Sequence, residues 1–370
     1  MRIQLLVLLG LVGCGGASPV RSVRVEETRV VASRGAGGET EVQVWSADVL
    51  FDEGNGLLRA GQCEQAVARY DTLVREFPSS RYVSASLYNA GLCLQEAHAW
   101  PASVSHYEQL LTLRPGSADE KHARLQLAEG LETLERWERG LENAEALLRR
   151  DDLSSAERLE ALARRSRAVL GLGRLEDAAR LAREATSYYR TRSGDEVIHD
   201  EYFAAMASYV LAETIRLRSE ALAFPDGSVL EQHDVLDRRA ALLLEAQRAY
   251  FDAIRLTNAH WAAASGYRIG GMYRAFFDAI TQAPVPPPPR PMHEAQLALY
   301  RESYRSQLRD RVMPLVRHAI RYWELTLTMV ERTGVESEWT ARVREDLERT
   351  RALVLAATPA AAAGDSRERP

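Results

Sequence analysis

GLLRAGQCEQAVARYDTLVREFPSS, residues 56–80, is followed by GLCLQEAHAWPASVSHYEQLLTLRPGS, residues 91–117. The two segments carry the same signals in the same register. Gly54 and Gly91, Tyr70 and Tyr107, and Pro78 and Pro115 are each 37 residues apart. Two further units follow. Ala128 and Gly140 continue the spacing from Gly91 and Ser103, and Ser166, Gly173, Ala178, Ala182 and Ala185 mark a fourth. Self-similarity at a fixed period of this size is the mark of stacked supersecondary units, each unable to bury its apolar face alone. Small residues let antiparallel helices approach closely, large aromatics fill the space beside them, and Pro78 and Pro115 end the second helices of the first two units.

These positions resemble the tetratricopeptide repeat, a helix–turn–helix unit of 34 residues. The resemblance implies a small residue midway along each first helix (Gly54, Gly91, Ala128, Ser166). It also implies Gly or a polar residue in the turn (Gly61, Gly173) and a small residue early in each second helix (Ala66, Ser103, Gly140, Ala178). The fold expected is all-α: a helical-hairpin solenoid of about four repeats over residues 47–192, then longer, irregular helical hairpins over 193–357. In that second region Pro225-Asp226-Gly227 separates two long helical stretches. Ala262, Gly266 and Gly270 form a smooth stripe suited to intra-chain packing, with Tyr273 and Phe277 facing the core. Residues 283–291, APVPPPPRP, read as an extended, stiff connector. Pro314 is expected to restart or kink the helix after it, Gly334 to cap that helix, and residues 358–370 to be a disordered tail.

The amino-terminal stretch MRIQLLVLLGLVGCGGASPV places Arg2 before an apolar run and small residues on both sides of Cys14. This is an export signal over residues 1–13, too short for a spanning helix. It resembles the lipobox of bacterial lipoproteins, which implies acylation of Cys14 and anchoring by two or three acyl chains. Gly15 is not the Asp that retains many such lipoproteins in the inner membrane, so the outer membrane, facing the periplasm, is the expected destination. Residues 14–46 read as a flexible tether, with weak alternation around Val42 and Val44. About thirty such residues give a reach of roughly 30 Å. Cys63 and Cys93 fall at core-facing helix positions. Two buried thiols are the expectation, in a compartment that also permits a disulfide.

A net charge of −5 over 370 residues gives no support to nucleic-acid binding. The basic residues are nearly all Arg, with Lys121 the sole Lys, as a GC-rich genome produces. No G-x-S-x-G, Walker A, H-E-x-x-H or C-x-x-C pattern is present. His293-Glu294 begins a zinc pattern, but Leu297 stands where the second His belongs, and His98 with His106 supplies only two ligands. Asp151-Asp152 falls at a helix boundary. No enzyme activity, cofactor or metal is therefore expected.

The first-helix residues Phe51, Asn55, Tyr88, Leu92, His122 and Arg167 are the candidate partner-binding face. Phe51 and Asn55 occupy the positions where some repeat domains clamp a terminal carboxylate with Lys and Asn, so that ligand is not expected. The mixture of aromatic, aliphatic and polar groups suits a protein helix or strand. Similarity to envelope repeat lipoproteins implies a scaffold in gliding-motility machinery, or else a subunit of outer-membrane β-barrel assembly. An alternative of another class is a ligand-binding or catalytic domain in the carboxy-terminal half. Cys14→Ser is expected to abolish metabolic labelling by palmitate and to release the protein from the membrane fraction. Retention of both label and fractionation would refute the lipid anchor.

Overall fold

Four helical hairpins close through the same turn. In a computed structural model that describes residues 28–34, 40–192, 198 and 201–357, Gly61, His98, Glu135 and Gly173 adopt left-handed backbone conformations, with φ of 71°, 56°, 52° and 73°. The N–H of the residue after each one reaches back to a carbonyl five positions earlier: Gln62 to Leu57, Ala99 to Leu94, Arg136 to Leu131 and Arg174 to Val169. This is the Schellman arrangement, which satisfies carbonyls that the helix end leaves open. The turns recur at intervals of 37, 37 and 38 residues, so the sequence period is a structural period. Gly accepts the conformation freely, whereas His98 and Glu135 hold it against Cβ crowding.

The chain divides into two compact units, residues 1–93 and 94–370. The first contains two strands, β1 (Thr28–Arg34) and β2 (Thr40–Ser46), then α1 (Ala47–Arg59), α2 (Cys63–Glu76) and most of α3 (Val83–Glu96). The signal, Cys14 and the start of the expected tether lie outside the described residues. The remainder of that tether is an antiparallel hairpin, running in register from Thr28↔Ser46 to Arg34↔Thr40. Its alternation is faint in the sequence, and Val30 and Val44 stay 68% and 63% exposed, so that pair adds no burial to enforce the register. Arg29 ties the hairpin to α2 through Glu76 at 3.0 Å and lies over the Phe77 ring.

Between α1 and α2, Gly54 leaves room for Tyr70: a Cβ there would come within 2.5 Å of the ring. The Tyr70 hydroxyl donates to Asn55 Oδ1 at 2.8 Å, which also accepts from Asn89 Nδ2 at 3.1 Å. Cys63 and Cys93 are not two thiols but a disulfide, with Cα atoms 5.3 Å apart. It joins the start of α2 to α3. Separate thiols are not what forms, because the fold brings two cysteines 30 residues apart to bonding distance, which the burial of each Cys alone does not reveal.

The second unit continues with α4 (Trp100–Leu113), α5 (Glu120–Thr133), α6 (Trp137–Leu148), α7 (Ser155–Gly171) and α8 (Leu175–Arg192). Each packs on its sequence neighbour. Ser154 caps α7 in a reciprocal box with Glu157. The longer helices follow: α9 (Tyr202–Glu220), α10 (Val229–Ile254), α11 (Ala259–Gln282), α12 (Glu294–Thr333) and α13 (Glu338–Ala357). The described residues are thus almost wholly helical, and no described helix is long and apolar enough to cross a membrane.

The small-residue stripe on α11 packs within the chain, as its spacing implies. A Cβ on Gly266 would meet Thr326 Oγ1 at 2.1 Å, and one on Gly270 would meet the Trp323 ring at 2.3 Å. Trp323 is 1% exposed and donates through Nε1 to the Tyr267 carbonyl at 3.0 Å. Residues 283–291 are non-helical, as expected. Pro314 does not restart the helix; α12 runs through it as one element of 40 residues, ended by Gly334 at φ 67°. The tail, residues 358–370, lies outside the described residues. Replacing both Cys63 and Cys93 by Ser should lower unfolding free energy by about 3–4 kcal/mol from the loop length alone. Chemical denaturation with and without a reductant measures this; unchanged stability would show that the bond does not form.

Candidate functional site

Helix ends build a cleft in the second unit. Trp137 opens α6, Tyr202 and Phe203 open α9, His260 and Trp261 lie in the first turn of α11, and Glu338 and Trp339 open α13. The end of α5 adds Glu129 and Glu132, and the middle of α7 adds Arg164 and Arg167. Together they line a cavity of about 800 Å³, within the size range of small-ligand sites.

Local chemistry sets each of these side chains. Glu135, in the left-handed turn, delivers the chain from α5 to α6. A Cβ on Gly171 would come within 2.3 Å of the Trp137 ring, so the bare backbone of α7 makes the seat for that indole. Asn258 caps α11 by accepting from the Trp261 N–H at 3.2 Å. Gly334 ends α12 and lets the chain turn so that α13 begins at the cleft.

Glu132 is the hub of the polar wall. Its carboxylate accepts from Arg164 Nη1 at 2.9 Å and from Arg167 Nε at 3.3 Å. Arg164 also donates to Glu160 at 2.8 Å. Burial disfavours the Arg164 charge, but Glu132 and Glu160 override it and hold its pKa above the ordinary arginine value. Four guanidinium groups lie over aromatic rings: Arg164 over Phe203 at 5.2 Å, Arg167 over Trp137 at 5.5 Å, and Arg342 and Arg268 over Trp339 at 4.8 and 5.7 Å. Such pairs hold the guanidinium plane while its N–H edge remains available.

Trp261 is 2% exposed, and its Nε1–H is without a hydrogen-bond partner among the described atoms. Tyr202 lies 5.6 Å from Trp261 and 5.9 Å from His260. Burial, reinforced by Glu132, pushes the Tyr202 hydroxyl up to about 12, so it is protonated at neutral pH. Burial lowers the pKa of His260, and the neutral ring accepts at Nε2 from Trp339 Nε1 at 3.4 Å. That bond places the ring proton on Nδ1. Behind this wall, Arg268 donates to the Tyr209 hydroxyl at 3.1 Å and pairs with Glu213 at 3.3 Å.

Of the residues singled out from the sequence, Arg167 alone lines this cleft. His122 is exposed on α5. Phe51, Asn55, Tyr88 and Leu92 belong to the first unit. There Phe51 stacks on Tyr82 at 4.7 Å, Asn55 accepts from Tyr70 and Asn89, and Tyr88 and Leu92 are half-buried. Cys14 lies outside the described residues. The other cleft residues are scattered along the chain; the spacing of Arg164 and Arg167, one turn apart on a helix, was the available local signal. No group of three or more potential metal ligands occurs among the described residues.

No protein-family model matches the chain, and no curated protein is similar to it in sequence. Solved structures do align. A tetratricopeptide repeat protein from Parabacteroides merdae matches over 82% of this chain and 98% of its own, at 14% identity and a TM-score of 0.40. MamA from Desulfovibrio magneticus RS-1 matches over 55% and 96%, at 16% identity and 0.35. YrrB, described as a TPR protein with an unusual peptide-binding site, matches over 52% and 84%, at 17% identity and 0.34. At these scores no inference passes to this chain, and the repeat architecture rests on its own four hairpins.

His260 sets a pH dependence. Its folded pKa lies below the ordinary value of 6.5, so the unfolded chain takes up the proton first. The stability that this gives is complete above 6.5 and is lost as pH falls below it. His260→Gln should flatten the decline in stability between about pH 7 and pH 5. Denaturation midpoints at the two pH values test this, and an equal decline in both proteins would refute it.

Proposed function

We propose that the chain is a non-enzymatic scaffold, exported and held at the outer membrane by acylated Cys14, whose hairpins recruit other envelope proteins. The observation that carries this reading is the same closing turn in each of four helical hairpins. First-helix residues remain at least partly accessible in each unit, Tyr88 and Leu92 in the first and His122 and Arg167 in the second. The disulfide between Cys63 and Cys93 supports export, because such bonds persist in oxidising compartments. Anchoring would act through effective concentration, turning weak contacts at a surface into productive ones. Gliding-motility machinery is the favoured setting, with β-barrel assembly second.

A photo-crosslinking residue at exposed position 122, introduced in the full chain and in its Cys14→Ser form, tests the proposal. Envelope proteins captured by the anchored form above background are the expected outcome, and their absence would refute protein recruitment through this face. Depletion separates the two settings: a motility defect with normal outer-membrane proteins favours the first, and accumulation of unfolded β-barrel precursors the second.

The cleft favours a second reading of another class. Half-buried and exposed Arg and Glu groups and a neutral His converge at a cavity bordered by the carboxy-terminal helices. This is the arrangement expected of a ligand-binding region rather than of a purely apolar helical stack.

A further inference from the structure

We propose that a small pocket in the second unit, where Arg239 of α10 meets the end of α9 and the middle of α11, holds one chloride ion against the Arg239 guanidinium. The site is separate from the cleft, and its occupancy does not depend on the scaffold reading.

Arg239 is 6% exposed, and among the described residues no carboxylate pairs with it. Arg164 and Arg216, each with 12% of the side chain exposed, hold two carboxylates apiece. Arg239 instead donates once, from Nη1 to the Leu222 carbonyl at 2.9 Å. Phe224 and Phe276 lie against its guanidinium at 5.6 and 5.7 Å. Their rings favour a cation but leave its in-plane N–H groups without acceptors. Nε is enclosed and has no acceptor; Nη2 has none either but is not enclosed, so that edge is the one left open. Ser219 Oγ donates to the Arg239 carbonyl at 3.1 Å and fixes the backbone behind it. Burial lowers the pKa of Arg239, as expected of a cation that lacks a close counter-charge. A buried charge left unpaired is costly.

The surrounding charges call for one negative charge. Arg216, Glu220 and Arg239 are the ionised groups that line the pocket. Arg216 donates to Glu220 at 2.6 Å and to Glu213 at 2.8 Å, and Glu213 also pairs with Arg268. Among these five groups three guanidiniums meet two carboxylates, and Arg239 is the one left over. Glu220 opposes an incoming anion, but its charge is already held by Arg216. Size then selects the guest. The pocket has a volume of about 10 Å³, close to the least that holds one water molecule. Phosphate, sulfate and carboxylic acids need more room, whereas a monoatomic anion is little larger than water. Water would accept an N–H and leave the charge unmatched; chloride does both. Leu243, Met272 and Phe276 complete the wall and keep the local dielectric low, which strengthens the attraction.

Thermal unfolding of the full chain tests this, with sodium chloride replacing sodium gluconate at constant ionic strength. The Tm should rise saturably, by about 2–4 °C once chloride exceeds its Kd tenfold. Arg239→Met should abolish the rise. Arg238→Met, on the neighbouring exposed side chain paired with Asp234, should leave it intact. Because Arg239 is buried, a second variant guards against misfolding. Glu220→Gln alters a side chain that is 35% exposed and removes the opposing charge, so half-saturation should fall about tenfold. Crystals soaked in sodium bromide should show an anomalous peak beside the Arg239 guanidinium. An ordered water there and no bromide would overturn the proposal. So would a chloride response unchanged in Arg239→Met, or a half-saturation unchanged in Glu220→Gln. A bromide peak without saturable stabilisation would mean an adventitious ion only, and would overturn it as well.

Discussion

A single buried carboxylate ties the carboxy-terminal helices together. Glu213 on α9 is 4% exposed, pairs with Arg216 at 2.8 Å and Arg268 at 3.3 Å, and accepts from the Tyr250 hydroxyl. Burial alone would raise its pKa, but Arg216 and Arg268 reverse the effect and keep it ionised. Because Tyr250 is on α10 and Arg268 on α11, one charge fixes three helices relative to each other. Removing one member of such a set strands the others and typically costs 3–5 kcal/mol, roughly. The same Arg268 lies 5.7 Å from the Trp339 ring, so the order imposed by Glu213 extends to the wall of the cleft.

Much of the fold is legible in the sequence for a definite reason. Helical hairpins that stack must repeat their contacts, and the repeated contacts appear as Gly54, Tyr70, Tyr107, Pro78 and Pro115 at one spacing. Gly266 and Gly270 were equally readable, because a stripe of small residues has few uses other than close packing. Two hairpin turns were hidden: His98 and Glu135 take the left-handed conformation that Gly61 and Gly173 advertise. Gly130 and Gly171 were hidden in another way. They accommodate Val104 and Trp137, partners that are not at the repeat's expected small-residue positions. The strands at Thr28–Arg34 and Thr40–Ser46 leave only a weak alternation around Val42 and Val44 in the sequence, and Val30 and Val44 stay exposed.

The cleft was not legible, apart from Arg167. Its walls come from the starts of four helices, the end of a fifth and the middle of α7, and nothing in local spacing links Trp137, Tyr202, Trp261 and Trp339. Each reads by itself as a core aromatic. They converge because turns at Glu135, Thr257 and Gly334 begin new helices near the same place, a property of tertiary path and not of period. The disulfide is a similar case on a smaller scale, since two core-facing cysteines look alike whether or not the hairpin brings them together.

That bond also decides how the chain would respond to pulling. In stacked repeats each unit is stabilised mainly by its neighbours, so unravelling ordinarily starts at an end and proceeds unit by unit. The covalent link from Cys63 to Cys93 takes α2 and most of α3 out of that route, while α1, amino-terminal to Cys63, can still peel away. Tension entering from the amino-terminal side passes through α1 to Cys63 and then directly to α3, without stretching the 30-residue segment between. Once α1 has yielded, the extension released is shortened by that segment, and the next step to yield lies beyond Cys93. Reduction would restore the missing length, making redox state a control on compliance.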